Sequence, residues 1–155
     1  MKIKNNKIDQ GMEIICLGLL AGIIVYLLWN WASIPQEVPL HYDWAGNVDR
    51  WGSKMELLIL PIISWILYLF VTFIEQIPQI WNTGVTVTEE NQVHVYRTLK
   101  YMIKSTKLIV VVDFTFLNVN TIQGENLPAW FTVAFLLAIF GNLIFWIVRL
   151  VKIVI

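Results

Sequence analysis

Apolar residues fill four long blocks of this chain, separated by short polar stretches. Ile14 to Gln36 carries no charge between Glu13 and Glu37, and Leu57 to Ile74 carries none between Glu56 and Glu75. Leu108 to Gly124 is interrupted by Asp113 alone, and Asn126 to Val148 is uninterrupted. A helix needs about 20 mostly apolar residues to cross a bilayer, within a range of roughly 17–25. The pattern therefore predicts an all-α membrane protein with four transmembrane helices, at about 14–34, 54–75, 105–122 and 128–149. Residues 1–155 form one membrane domain, with a compact loop at 35–53 and a polar segment at 76–104.

Composition agrees with that pattern. Hydrophobic residues make up 57% and charged residues 14% of the 155 positions, against roughly a quarter charged in soluble domains. Eleven basic and eleven acidic residues cancel, so no bulk charge favours a nucleic-acid partner. Lys2, Lys4 and Lys7 ahead of an apolar run imitate a secretory leader, but the run is too long and "NWASIP" lacks a small-x-small cleavage site. A retained first span is expected. Cys16, the single cysteine, excludes an intrachain disulfide and reads as a small packing residue.

Charge placement orients the chain. Lys2, Lys4, Lys7, Arg97, Lys100, Lys104, Lys107, Arg149 and Lys152 fall on one side of the four blocks, and Arg50 and Lys54 on the other. Basic residues collect on the cytoplasmic side, so both termini are expected there, in a bacterial plasma membrane, with the 35–53 loop outside. Trp29, Trp31, Trp44, Trp51 and Trp130 would then lie near the outer interface and Trp81 at the inner one.

The loop "VPLHYDWAGNVDRWGSK" is the most patterned stretch. Pro35 and Pro39 hold its start extended. "PLHY" reads as a short strand and "DWAGN" as a turn with Gly46 or Asn47 at positive φ, so a short β-hairpin fits. Alternation puts Leu40 and Tyr42 on one face and His41 and Asp43 on the other. "SKME" is a capping box in which Ser53 and Glu56 start the second span.

The same residues resemble the signature of a bacterial membrane family, DUF1648, a domain of unknown function. Its Pro-x-His, Gly-x-x-Asp and Gly-Ser-Lys elements correspond to Pro39 and His41, to Gly46 and Asp49, and to Gly52, Ser53 and Lys54. A second patch, "WNTGVTVTEENQVHVYRTLKYM", is similar to a segment of the family's short members. The family is related to the SdpI-like toxin immunity membrane proteins, which are longer. The resemblance implies a role in protecting a cell from a secreted peptide toxin and in signalling to a repressor.

Two chemistries compete for the loop. His41, Asp43 and Asp49 carry donor types that a divalent metal accepts; alternatively they are hydrogen-bonding struts of a structural or recognition surface. Ser53 with His41 would give a nucleophile and a base, but the cap occupies Ser53 and no oxyanion donors are evident. No enzyme activity and no cofactor are expected.

Beyond the loop, Thr88 is an N-cap candidate with Glu89 and Glu90 in the first turn of a helix that continues into the third span. Val95, Leu99, Met102 and Ile103 make its apolar stripe, while Arg97, Lys100, Lys104 and Lys107 decorate its surface and His94 is solvated or lies among lipid headgroups. Pro61 is expected to kink the second span and free the carbonyl of Leu57. Gly18 and Gly22, with Ala134, Ala138 and Gly141, offer close helix packing, inside one bundle or in a homo-oligomer. Asp113 and Asn142 lie at matching depths counted from Lys107 and Arg149, which predicts that they face each other.

The reading is a non-enzymatic, immunity-like membrane protein whose outer loop recognises or blocks an extracellular peptide toxin. A small transporter or ion-handling protein using Asp113 is the alternative. A sensor or subunit binding a cytoplasmic regulator is another. The lipid bilayer is the one partner common to all three.

Overall fold

Helix α1 spans Lys7–Asn30. A hairpin follows, with β1 at Glu37–Tyr42 and β2 at Val48–Ser53. A 3₁₀ turn at Lys54–Leu58 leads into α2, Ile59–Glu75. After a short 3₁₀ turn at Pro78–Ile80 come α3, Gln92–Gln123, and α4, Phe131–Val151. The structure is a computed structural model that describes residues 3–155.

Among the described residues, three helical segments are long and apolar enough to cross a membrane: Lys7–Asn30, Lys54–Glu75 and Phe131–Val151. The chain is thus a mostly helical, membrane-spanning protein with a small two-stranded sheet. The third expected span falls inside α3, which lacks that hydropathy because Lys104, Lys107, Asn118 and Asn120 lie along it. Those four residues are buried. They can be, because α3 packs against α1, α2 and α4, so much of its surface meets protein.

Helix α3 runs beside α1 in the same direction. At one end Asn6 donates to the Tyr101 hydroxyl and Arg97 pairs with Asp9. At the other, Ile122 packs with Ile23 and Leu27. With 32 residues, α3 is about 48 Å long at 1.5 Å per residue. Gly124, at φ +74°, ends it with its amide returned to Asn120 and Thr121. The uninterrupted helix expected after Glu89 is present, beginning at Gln92. Thr88 and Asn91 bond reciprocally just ahead of it, and Glu89 and Glu90 stay in the preceding turn.

Several local expectations are corrected. Pro61 is the third residue of α2, just past the point where the segment changes from 3₁₀ to α winding. Trp81 is buried, its indole donating to Ile74 O at 2.9 Å, and packs with Val95, Leu99 and Leu150. Gly18, Gly22, Ala134, Ala138 and Gly141 face outward, so the small residues do not serve packing within this bundle. Cys16 is buried with Leu20, Tyr68 and Val111, as expected of a packing residue.

Candidate functional site

The hairpin is a folded unit clamped onto the helices. Its antiparallel register pairs Val38 with Gly52 and Pro39 with Trp51, shifts at Leu40 so that His41 pairs with Arg50, then slips back so that Tyr42 pairs with Val48. The slip leaves Asp49 as an extra residue, a bulge that re-aims its side chain. The Asp49 carboxylate meets His41 Nδ1 at 2.6 Å. Both are largely exposed, so solvent screens the pair and its worth is small.

Asp43 closes the turn. Its Oδ1 accepts from the amides of Ala45 and Asn47 at 2.9 and 2.8 Å, and its Oδ2 accepts from the Asn47 side chain at 3.1 Å. These bonds, led by those from Asn47, hold its carboxyl below the usual aspartate range. Gly46 takes φ +89°. A side chain there would also strike the backbone of Leu127, so glycine is required twice over. Asp43 is thereby committed to the turn and separate from His41 and Asp49. Among the described residues no three His, Cys, Asp or Glu side chains converge as a metal site would need.

Each remaining motif residue also has a task. Pro39 and Val38 are buried, and Val38 joins Ile23, Leu27, Ile34, Leu57 and Ile122 in the core beneath the hairpin. Leu40 crosses β2 over Gly52, filling the space that any side chain at Gly52 would need. Ser53 accepts from Met55 N while Glu56 accepts from Ser53 N at 3.0 Å, which is the expected capping box. Lys54 is buried and donates to the carbonyls of Trp31 and Ile34, satisfying groups at the end of α1. Its ammonium also lies 4.7 Å from the Trp31 ring centre.

The tip is fixed from the other side by the α3–α4 connection. Leu127 N donates to Gly46 O at 2.8 Å, and Val48 N donates to Asn126 Oδ1 at 3.0 Å. Tyr42 reaches the end of α3, its hydroxyl 3.2 Å from Thr121 Oγ1 and 3.3 Å from Asn120 Nδ2. On this support Trp44 is 87% exposed and Trp51 55%. A pocket of about 130 Å³ lies between hairpin, α2 and α3, with Arg50, Glu56, Asn118 and Thr121 among its walls.

At the opposite end lies a site whose residues were expected on the surface. Lys104 Nζ bridges Glu13 and Glu75 at 2.8 Å each. Lys107 Nζ bridges the same two carboxylates at 3.0 and 2.7 Å. Thr72 accepts from Lys107 at 2.9 Å, and Tyr68 donates to Glu13. Lys104 is 2% and Lys107 3% exposed. Arg97 pairs with the buried Asp9 at 2.8 Å. The signal for this tetrad was in the sequence: Glu13 begins one span and Glu75 ends the next, so an up-down topology returns both to the level of Lys104 and Lys107.

Asp113 and Asn142 are not brought together. Asn142 Oδ1 accepts from Ser105 and Trp146 at 2.7 and 3.0 Å, and its Nδ2 donates to Thr106 at 2.9 Å. The depth count took Lys107 for the membrane boundary, whereas Lys107 is inside the bundle. Asn142 therefore sits opposite Ser105, eight residues and about 12 Å along α3 from Asp113. One carboxylate oxygen of Asp113 is buried with no hydrogen-bond partner among the described residues.

The profile of the family described as Domain of unknown function (DUF1648) matches residues 18–64. The chain carries a DUF1648 domain. That domain covers the second half of α1, the whole hairpin and the start of α2, so the match is centred on the clamped unit. An uncharacterized protein of Archaeoglobus fulgidus is 37% identical over 84 residues, 48% of this chain and 46% of the relative. The chain spans about half the length of that curated relative. No solved structure matches.

Proposed function

We propose that this protein is a non-enzymatic, immunity-like protein of a bacterial plasma membrane, with four spans, both termini cytoplasmic and the hairpin outside. The hairpin would recognise or block an extracellular peptide toxin. The observation that carries this reading is Trp44, 87% exposed on a tip held by Leu127 and Asn126. A bare indole on a rigid support loses little entropy on contact and is a common anchor for a binding partner. The fourth span is supported by α3 running the length of α1 with its polar side chains turned into the bundle.

Protection is the test. The chain is expressed in toxin-sensitive bacteria, which are then challenged with purified secreted peptide toxins. Survival should rise with the wild type and fall back with Trp44→Ala, at equal membrane abundance. Protection that persists in Trp44→Ala and Trp51→Ala would assign these residues to interfacial anchoring instead.

One observation favours ion handling as a second reading. The unpartnered buried oxygen of Asp113 is the kind of intramembrane group that transported protons or cations use. Asp113→Asn abolishing ion flux in proteoliposomes, with expression unchanged, supports that reading. The cytoplasmic-regulator reading loses its best feature, because Arg97, Lys104 and Lys107 are engaged by Asp9, Glu13 and Glu75.

A further inference from the structure

The charged cluster at the terminal end of the bundle does not balance. Arg97, Lys104 and Lys107 are matched by Asp9, Glu13 and Glu75, which leaves Lys100. Lys100 is 5% exposed, and its ammonium donates to Ile3 O at 2.7 Å and Asn5 Oδ1 at 2.6 Å, both neutral acceptors. Among the described residues it forms no ion pair. A buried cation without a paired counter-ion is costly, and desolvation outweighs the attraction of Asp9 and Glu75 to hold the Lys100 ammonium below the ordinary lysine range.

Lys100 also lines a cleft. The space between the chain start, α1, α2 and α3 has a volume of about 800 Å³, and Lys4, Lys100 and Lys104 are in its walls. An ammonium has three donors. Lys100 uses two on Ile3 and Asn5, and Lys104 uses two on Glu13 and Glu75, so each keeps one. The two carboxylates in the wall are already held by Lys104 and Lys107. Phe73, Ile77 and Pro78 make the other side apolar.

We propose that this cleft binds a phosphate-class anion, with Lys100 as the buried recognising cation and Lys4 and Lys104 as further donors. The phosphate comes either from an anionic phospholipid headgroup at the membrane surface or from free solution. An anion here supplies the missing counter-charge, and the apolar wall suits a group attached to the phosphate. The site is independent of the hairpin and of any peptide it binds, so a failed protection assay leaves it standing.

The test uses the purified full-length chain in neutral detergent, with thermal stability followed during titration. The probes are short-chain phosphatidylglycerol, short-chain phosphatidylcholine and inorganic phosphate, with chloride at matched ionic strength as reference. Wild type should be stabilised by phosphatidylglycerol more than by phosphatidylcholine or chloride. Lys100→Met should weaken the apparent affinity on the order of tenfold or more, the usual effect of losing a charged hydrogen bond. Lys152→Met, an exposed cation outside the cleft wall, should leave it unchanged. A matching response to inorganic phosphate assigns recognition to the anion alone; a response confined to phosphatidylglycerol assigns it to the lipid headgroup. If Lys100→Met does not fold, Lys100→Gln keeps a donor without the charge and serves the same comparison. No anion response in wild type, or an unchanged response without the Lys100 charge, overturns the proposal.

Discussion

The amide of Leu127 donates to the carbonyl of Gly46 across 2.8 Å, joining the hairpin tip to the α3–α4 connection. Residues 81 positions apart are thereby in backbone contact. The hairpin consequently reports on the packing of α3 and α4 as well as on its own turn.

Gly46→Ala should loosen that junction. Positive φ and the nearby Leu127 backbone both oppose a side chain, and a strained residue of this kind costs on the order of 1–3 kcal/mol. The expected outcome is faster protease cleavage within residues 43–50 and a lower Tm. Asn126→Ala, which removes the acceptor for Val48 N, should cost roughly 1 kcal/mol and add little to Gly46→Ala, since both release the same tip.

Breaking the tetrad should be more damaging. Lys107→Met leaves Glu13 and Glu75 sharing Lys104 alone, and removing one partner of a buried pair costs roughly 3–5 kcal/mol. The double variant Lys107→Met with Glu75→Gln restores the charge balance and should recover part of the loss. Thermal unfolding in detergent of the two single variants and the double completes the cycle. Additive losses would show that the four groups do not act together.

Acid should open the turn through Asp43. Its folded carboxyl is held below the ordinary aspartate value of 3.8, so the ionised form is favoured in the folded turn. That contribution is complete above the unfolded pKa and disappears as pH falls through the folded one. Trp44 fluorescence should therefore shift at a pH below 3.8, and Asp43→Asn should remove the shift. A shift that survives in Asp43→Asn would show that another group controls the turn.

Topology can be read by cysteine labelling in a Cys16→Ser background. Cysteines at Asn47 and Asn126 should react with an impermeant thiol reagent on intact cells, and those at Asn6 and Asn91 should not. The bond from Val48 to Asn126 requires 47 and 126 to share a side. Labelling at 91 together with 47 would remove both α2 and α3 from the membrane-crossing set, since 47 and 126 share a side.

Much of this protein is written locally. Charge-free runs long enough to span, the Ser53–Glu56 box and Gly46 at the turn each depend on residues a few positions apart, and each appears where the pattern places it. Capping, turn geometry and hydrophobic length are short-range physics, so one sequence suffices to read them. The partners of charged groups inside the bundle were decided by tertiary structure. Lys104 and Lys107 look like surface residues on an amphipathic helix until α1 and α2 bring Glu13 and Glu75 against them. Asn142 chose Ser105 and Thr106 over Asp113 because α3 extends well beyond the lysines that seemed to bound it. Helix depth and facing depend on how neighbouring helices slide and rotate, and periodicity within one segment carries no information about that offset.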